Sequence, residues 1–541
     1  MSELVGLIPA AGKGVRAYPY TAAIPKSMLE IDGVPVLQRN VELMRDQLGI
    51  DEITIVVGHH GDVIRRHFGD GARFGVRITY VANPRIDLEL PYSVYLGGRE
   101  ITRPCCMILA DECYVGSNHG ELLARWDPDA LVTCGLIVSE YAKQIRKNFV
   151  VSVRDGCIVD LIEKPTQVSG RLMGTGTYLL RPEVFRLLAA AYGGAPESGP
   201  RDWTTWLASL ARSGVRVVPA ELTGKYVNVN SRDDLNYANY LVRDLHFTEK
   251  QTSLVYVIDG GEAAAVAPLL RFAEVPEVDE VVAVARRSCA ELDGAIGGKI
   301  RLVLASADAP VGDLVQLGLE RATGSILLVA PSDDTFSPRD VSKLLVYLRD
   351  ADMVVGTRTT RQMIEQGTNM RGIVRAVHVS LAKLFQLLWW RLECRFTDFG
   401  CIYRGMWRST FETIRPNLTS RGVEIYPEMM IEVLRARRRI VEIPVNYFNR
   451  DLTHSHVPGK YQSARTLARV LALLARKRWE DSALGAWSAR EIAPAPAPAP
   501  PESSGTGPST AELATARGES SGTGPRAGQR PDRTAQRDAP R

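Results

Sequence analysis

The sequence predicts an α/β protein with two domains, each built on a mostly parallel sheet, followed by a tail without regular structure. Short runs rich in Val, Ile and Leu alternate with longer amphipathic segments, the pattern of repeated strand–helix–strand units. A second series of such units starts near Leu254, and 541 residues are too many for one core. We expect domains over 1–245 and 252–480, with a boundary at 244–252, and a tail over 488–541.

Apolar runs and amphipathic periodicity along the chain predict the individual elements. In the first domain we expect strands over 4–9, 51–58, 76–82 and 106–110, and helices over 36–48 and 62–68. In the second domain we expect strands from about Leu254 and over 280–284, 300–304, 326–329 and 353–355.

The last part of the chain has a different composition. It contains APAPAPAPP and two copies of ESSGTGP, at 502–508 and 519–525. A segment this rich in Pro, Ala, Gly and Ser buries too little apolar surface to offset its chain entropy. We expect it to be disordered.

Charge and composition exclude several classes of protein. A net charge of +4 argues against a dedicated nucleic-acid binder, which normally has a concentrated basic face. None of the eight cysteines falls in a CxxC pair, so we expect free thiols in a reducing compartment. The start, MSELVGLIPAAGKG, is not typical of a signal peptide, and no apolar run approaches bilayer length. We expect a cytoplasmic protein.

A glycine-rich loop with cationic residues follows the first predicted strand, in LIPAAGKGVRAYPYTAAIPKSMLEI. Glycines let backbone N–H groups approach phosphate oxygens, and nearby cations neutralise a triphosphate. A glycine loop alone often serves only to turn the chain, but GxGxR followed by Pro-Lys ten residues later is more specific. The candidate nucleotide-binding residues are Ala10, Ala11, Gly12, Lys13, Gly14 and Arg16.

These motifs resemble the sugar-phosphate nucleotidyltransferase family over residues 4–243. The resemblance implies a Rossmann-like fold and transfer of a nucleotidyl group from a nucleoside triphosphate to a small phosphorylated acceptor, with release of pyrophosphate. It also implies that Lys13 and Arg16 contact the triphosphate and that Lys26 bridges the α-phosphate and the acceptor phosphate. A cation suits that position because the transition state spreads negative charge between these groups.

The resemblance also implies a metal site. Asp111, in MILADE at the end of a predicted strand, matches the family's Mg²⁺ ligand, and a carboxylate suits a hard cation such as Mg²⁺ or Mn²⁺. A lone Asp here could instead cap a helix, but that interpretation is weak beside the other motifs. Asn228, with Asn230 nearby, stands where the family usually has a second aspartate, so the metal is expected to bind more weakly. Catalysis is assigned to Arg16, Lys26 and Asp111.

Two further motifs point to the acceptor. Glu163 and Lys164 in LIEKPT match the family's acceptor-contacting EKP, and Gly174 and Thr175 in GTGTYLL match the strand that lines the acceptor pocket. The segment 83–101, with Asn83 and a helix beginning at Ser93, is more similar to the cytidylyltransferase branch than to the classical sugar-nucleotide enzymes. CTP is therefore favoured, with a phosphorylated alcohol, sugar or phosphonate as acceptor. The alternative is an ordinary hexose 1-phosphate.

The later part of the chain contains a second set of motifs, in the order APSDDTFSP, VVGTR, TDFGCIYR and VEIYPEMM to NYFNR. With these motifs, residues 252–462 resemble family 2 glycosyltransferases of the polyprenyl-phosphate sugar synthase type, and the resemblance implies a GT-A fold. The resemblance implies that Asp334, with Asp333 beside it, binds a metal that bridges a donor diphosphate, although Ser332 replaces the first aspartate of DxD. It further implies that Asp398 faces the donor sugar and the acceptor.

Three arginines are candidate phosphate ligands in this second domain, because a guanidinium matches phosphate geometry: Arg358, Arg404 and Arg450. A surface ion pair is an equally good interpretation of each one taken singly. The family's acidic residues after its first two strands are absent from VIDGGEAAA and VVAVARRSCAELD. Either the donor is bound differently or transfer activity has been lost.

An amphipathic stretch, VHVSLAKLFQLLWWRL, separates two of these motifs. Helical core is the default interpretation. In polyprenyl-phosphate enzymes the corresponding helices lie near the membrane, where Trp389 and Trp390 would suit the interface. Peripheral membrane or polyprenyl-phosphate contact is thus a second hypothesis.

Three functional hypotheses follow. The chain is a bifunctional enzyme whose second domain transfers the group that the first activates, and fusion raises the effective concentration of the intermediate. Alternatively, it is a nucleotidyltransferase with a non-catalytic binding module. A nucleotide sensor without turnover is the third, which the presence of Arg16, Lys26 and Asp111 argues against.

Overall fold

The computed structural model describes residues 4–14, 17, 21, 24–123, 126–168, 170–193, 195–360, 372–389, 395–448 and 460–483. Over these residues the protein is mixed α/β with mostly parallel sheets, as predicted. Two seven-stranded sheets carry the main cores and lie in one compact unit. The predicted tail, 488–541, lies outside the described residues.

The first sheet and its surroundings use residues 5–245. The strands are β1 (Val5–Ala10), β2 (Glu30–Ile31), β3 (Val34–Pro35), β4 (Glu52–Val57), β5 (Arg77–Ala82), β6 (Cys105–Ile108), β7 (Glu112–Val115), β8 (Val132–Val138), β9 (Phe149–Arg154), β10 (Cys157–Glu163), β11 (Leu172–Leu180), β12 (Val217–Leu222) and β13 (Lys225–Asn228). The helices are α1 (Val36–Leu48), α2 (Gly61–Phe68), α3 (Glu89–Gly98), α4 (Ala142–Ile145), α5 (Glu183–Tyr192), α6 (Trp203–Arg212) and α7 (Arg232–Leu245). The strand order of the large sheet is β5-β4-β1-β6-β11-β8-β12, and β11 is antiparallel to both neighbours.

The second sheet is built from later residues. Its strands are β14 (Thr252–Val257), β15 (Glu280–Ala285), β16 (Ile300–Leu304), β17 (Ile326–Pro331), β18 (Met353–Thr357), β19 (Arg404–Trp407) and β20 (Ile440–Pro444). Its helices are α8 (Glu262–Ala273), α9 (Ala290–Ala295), α10 (Val311–Arg321), α11 (Asp340–Leu348), α12 (Gly372–Leu388), α13 (Arg408–Ile414), α14 (Ile425–Arg435) and α15 (Lys460–Ala483). The order is β16-β15-β14-β17-β19-β18-β20, with β19 antiparallel to both neighbours.

The two sheets share one topology. Numbered by their place along the chain, the strands of each sheet run 3-2-1-4-6-5-7, and in both sheets the sixth strand is the antiparallel one. Strand order reverses between β1 and β6 in the first sheet and between β14 and β17 in the second. Ligands of open α/β sheets bind in the crevice at such a reversal, beyond the carboxyl ends of the strands.

Local sequence accounts for most of these elements. The predicted strands and helices lie at their expected positions to within about two residues. Helix α1 ends at Gly49, whose φ of 63° suits glycine, and the Ser231 hydroxyl caps α7 by accepting from the Asp234 N–H. The helix expected to begin at Ser93 instead begins at Glu89, because Pro91 is tolerated in a first helical turn.

The apolar stretch before residue 390 forms α12, which has both buried and exposed apolar side chains. Trp389 is buried in the core of the second sheet, and its Nε1 donates to Asp481 on α15 at 2.9 Å. This burial agrees with the default interpretation of helical core and does not support membrane contact by Trp389, and Trp390 lies outside the described residues. Among the described helices, none combines the length and apolarity needed to cross a bilayer. The described cysteines are free thiols, as expected.

A buried arginine joins the two sheet regions. The side chain of Arg243, on α7, is 1% exposed and donates to Asp32 at 3.1 Å and to Asp352 at 2.7 Å. It also donates to the Ala351 carbonyl at 3.1 Å, and its guanidinium lies 5.0 Å from the centroid of the Trp407 ring. Asp32 follows β2 and Asp352 precedes β18, so one cation neutralises a carboxylate from each side. Burial alone would raise the pKa of Asp352, but the charges of Arg243 and Arg438 and a hydrogen bond from the Arg439 N–H outweigh burial and lower it.

We expect Arg243→Met to lower the free energy of unfolding by up to about 3–5 kcal/mol, because it removes the buried cation between Asp32 and Asp352 and leaves Arg438, at 3.5 Å, as the ion-pair partner of Asp352. Urea denaturation followed by circular dichroism measures the change. The control is Arg66→Met, which removes an exposed i,i+4 pair with Asp62 and should cost under about 0.5 kcal/mol. Equal unfolding curves for the two variants would show that the buried pair contributes no more than a surface one.

Candidate functional site

The glycine loop lies directly beyond β1, at the reversal of strand order. Gly14 has a φ of 63°, and a Cβ there would lie 2.9 Å from the Cβ of Lys26, so only glycine allows this close approach. The loop, the Lys26 turn and the end of β6 border a cavity of about 440 Å³. Lys13 and Ala10 line this cavity as well, whereas Arg16 lies outside the described residues.

Lys26 and Asp111 form the centre of the site. Lys26 begins a single 3₁₀ turn after Pro25, and its Nζ donates to Asp111 Oδ2 and, at 2.9 Å, to Asn230 Oδ1. Asp111 follows β6, and its carbonyl accepts from the Val229 N–H at 2.9 Å. The predicted cation and carboxylate are thus in contact, although 85 residues separate them in the chain.

Asn228 and Asn230 bring amide oxygens to the same point. Asn228 ends β13, and its Oδ1 accepts from Asn230 Nδ2. Asp234 holds this segment by accepting from the Asn230 N–H at 3.2 Å, and Lys147 pairs with Asp234 at 2.6 Å. Asp111 and Asn230 therefore contact the Lys26 ammonium directly, and Asn228 is joined to it through Asn230. One carboxylate and two amides are a donor set that fits a hard divalent cation. Among the described residues there is no cluster of three or more His, Cys, Asp or Glu suited to a metal.

A second cavity, of about 420 Å³, adjoins the first. Pro9, Gly12, Glu89 and Asp111 line both, so the Asp111 carboxyl lies where the two meet. Lys13, Lys26 and the loop lie on the first side. The second cavity has Lys147 and Arg201 in its wall together with several carboxyl groups, a pattern suited to a ligand with many hydroxyl groups.

The predicted acceptor residues divide between the cavity wall and the surrounding structure. Glu163, at the end of β10, and Thr175 line the second cavity, and Ala11 does so from the loop. Gly174 does not; a Cβ there would lie 1.9 Å from the Phe149 ring, so its glycine serves packing. Lys164 is also not among the lining residues, and its half-exposed side chain pairs with Glu163.

Glu112 is a cavity residue that sequence reasoning missed. It is 1% exposed and accepts from the Gly176 N–H at 3.2 Å and from the Tyr114 hydroxyl at 3.3 Å. Burial, reinforced by the neighbouring Asp111 charge, raises the pKa of Glu112 to about 8. The sequence signal for Glu112 was its position directly after Asp111. Glu112 also begins β7, and the alternation of side chains along a strand does not reveal which face borders a cavity.

Asp202 is the other missed residue. It precedes α6, and one of its oxygens accepts from the Thr205 N–H at 2.5 Å, so from the sequence it reads only as a helix cap. In the structure it also lines the second cavity and shares a hydrogen bond with Glu163. Burial, followed by this bond, raises the pKa of Glu163. Burial would also raise the pKa of Asp202, but the hydrogen bonds of Asp202 with Glu163 and Thr205 outweigh burial and lower this pKa.

The second sheet carries charged residues at the equivalent reversal of strand order. Asp333 and Asp334 follow β17, where Asp333 accepts from the Thr335 hydroxyl at 2.6 Å and Asp334 pairs with Arg271. Asp259, which the sequence reasoning passed over, lies just beyond β14 and pairs with Arg286 at 2.6 Å. Carboxylates and guanidinium groups therefore alternate along this edge.

The remaining predicted residues of this region are buried in structural roles. Asp398 is fully buried and accepts from Arg358 at 2.8 and 2.9 Å; burial would raise the pKa of Asp398, but this pairing holds it well below its usual range. Arg404 is also fully buried, donates to the Tyr426 carbonyl at 2.7 Å and to the Cys401 carbonyl, and has its pKa lowered by burial to about 10. Asp398 and Arg404 therefore each have buried partners within the protein. Arg450 lies outside the described residues.

Comparison with known proteins identifies the first half of the chain. Residues 5–227 match the model of the nucleotidyl transferase family. The chain is 28% identical over 240 residues to a UTP–glucose-1-phosphate uridylyltransferase of Haloferax volcanii, covering 44% of this chain and 96% of the relative. It is 28% identical over 206 residues to a glucose-1-phosphate thymidylyltransferase of Xanthomonas campestris, covering 37% of this chain and 66% of the relative.

A crystal structure of a UDP-glucose pyrophosphorylase with UDP-glucose aligns at 23% identity, with a TM-score of 0.38, over 46% of this chain and all of its own. The sugar nucleotidyltransferase family typically uses divalent metal ions such as Mg²⁺. Residues 5–227 form a nucleotidyl transferase domain, and about the N-terminal 45% of the chain is homologous to the sugar-phosphate nucleotidyltransferases.

Proposed function

We propose that the first domain transfers a nucleotidyl group from a nucleoside triphosphate to a hexose 1-phosphate. An oxygen of the sugar phosphate attacks the α-phosphorus, the bond from this phosphorus to the oxygen of the departing diphosphate breaks, and pyrophosphate leaves. The nucleophile is already an anion, so the reaction needs positioning and charge stabilisation rather than a general base. The observation that carries the proposal is the contact of Lys26 with Asp111 between the two adjoining cavities.

The two cavities suit the two substrates. Backbone N–H groups of the glycine loop, with Lys13 and Lys26, line the side that fits a triphosphate. Thr175, Glu163 and other hydroxyl and carboxyl groups line the side that fits a sugar. Lys26 lines the triphosphate side and contacts Asp111, which borders both cavities, so it would neutralise the charge that two approaching phosphates share in the transition state.

The oxygens around Lys26 also support a metal. Asp111, with Asn228 and Asn230, would hold Mg²⁺ or Mn²⁺, which when bound neutralises the triphosphate and polarises its α-phosphorus. Two amides in place of a second carboxylate lower the charge of the site, so a weaker affinity for the metal is expected. This chain's own residues then orient the phosphates, and Lys26 stabilises the charge that develops on them.

The nucleotide is the finer part of the proposal. The sequence favours CTP because of the segment 83–101. In the structure Asn83 of this segment is buried and donates to the Ser93 hydroxyl at 2.8 Å. The named relatives use UTP or transfer a thymidylyl group. We therefore place UTP or dTTP first and keep CTP as a prediction for the same assay.

For the second sheet we propose a site for a nucleoside diphosphate sugar, which would make the chain bifunctional. The supporting observation is the shared topology, which puts Asp333 and Asp334 where the first sheet has Asp111. Glycosyl transfer of the activated group is the proposed activity. The alternative, a binding module without transfer, predicts binding of the same ligand without turnover.

Pyrophosphate release tests the first domain, with each of CTP, UTP, GTP and dTTP against glucose 1-phosphate, choline phosphate and a phosphonate. We expect turnover with glucose 1-phosphate, and we expect Lys26→Met and Asp111→Asn each to lower kcat/KM by about 100-fold or more. The control Lys143→Met changes an exposed lysine on α4 and should leave kcat/KM unchanged. Full turnover in either site variant would remove that residue from the mechanism, and no release from any pair would favour the nucleotide sensor.

Titration calorimetry with the nucleotide sugar tests the second sheet. We expect two sites per chain, of which Lys26→Met weakens one and Asp334→Asn the other, each by about tenfold. Asp308→Asn, at an exposed position in the same region, should change neither. A single binding site, or a second site whose affinity is unchanged in Asp334→Asn, would contradict the proposal.

A further inference from the structure

Two carboxyl groups touch in the wall of the second cavity. Glu163 and Asp202 both line it and are joined by a side-chain hydrogen bond. Such a bond requires a proton on one of the two groups, because two carboxylates would repel each other.

Asp202 is held by the fold independently of any ligand. One of its oxygens caps α6 through the Thr205 N–H at 2.5 Å. Trp203 follows in the same turn, is buried and packs edge-on against Tyr178 at 5.7 Å between ring centroids. Glu163 by contrast ends an edge strand and pairs outward with the half-exposed Lys164. Asp202 is thus the rigid member of the pair.

We propose that Asp202 is a specificity-determining residue for a hydroxyl-bearing acceptor, because it fixes the Glu163 carboxyl and offers its own oxygens in the acceptor cavity. The inference rests on the proposed sugar-phosphate transfer and names a further residue for it. A cavity built to bond hydroxyl groups rejects analogues that lack one, since its own polar groups are then left unpaired. Removing Asp202 should reduce that discrimination.

Matched variants separate this role from helix capping. Asp202→Ser retains a capping oxygen but is too short to reach Glu163, whereas Asp202→Asn retains the cap and can still donate to Glu163. We measure pyrophosphate release with glucose 1-phosphate and its deoxy analogues, and thermal unfolding of each variant. Asp202→Ser should raise KM for the acceptor about five- to tenfold and lower discrimination against one deoxy analogue by a similar factor.

In that experiment kcat and KM for the nucleotide should stay within about twofold of wild type, and Asp202→Asn should restore most of the acceptor affinity. If Asp202→Ser left the acceptor KM and the discrimination unchanged, Asp202 would act only as a helix cap. A rise in both KM values, or a large loss of thermal stability, would also overturn the inference. A wild-type protein without turnover on any sugar phosphate would instead overturn the proposed function.

Discussion

The ion pair between Lys26 and Asp111 joins the two strands on which the first half of the protein depends. Lys26 follows the glycine loop of β1, and Asp111 follows β6. These strands are neighbours because strand order reverses between them. Right-handed crossovers then lead away from β1 and β6 towards opposite edges of the sheet. The reversal leaves an opening between the connections, where Asp111 borders both cavities and Lys26 borders the first. In a sheet of sequential strand order they would not meet.

The second sheet repeats this arrangement with a different set of charges. Its strand order and its one antiparallel strand are those of the first sheet, yet carboxylates paired with Arg271 and Arg286 replace the lysines at the reversal. A shared topology fixes where side chains lie but does not determine which residue types occupy those positions. Arg243 links the two regions through Asp32 and Asp352, and its burial makes that link costly to break.

The elements of the fold were largely predictable, whereas the site was predictable only in part. Continuous apolar runs located β1, β6, β14 and β17 because strands of a covered parallel sheet are buried on both faces. Motif spacing found the residues around Lys26. The same reasoning offered Arg404 as a phosphate ligand or a member of a surface ion pair, whereas Arg404 is buried and donates to backbone carbonyls. Sequence reasoning missed Asp202, because its contact with Glu163 is not local.

By itself, the sequence determined the alternation of strands and helices, the turn at Gly14, and the presence of a cation and a carboxylate at strand ends. Each depends on neighbours within a few residues, through burial periodicity or backbone freedom. The tertiary structure alone decided that Lys26 reaches Asn230, 204 residues away, and that Arg243 reaches Asp352, 109 residues away. Such pairs form because packing of the sheets brings distant strand ends together, and no local pattern encodes which ends those are.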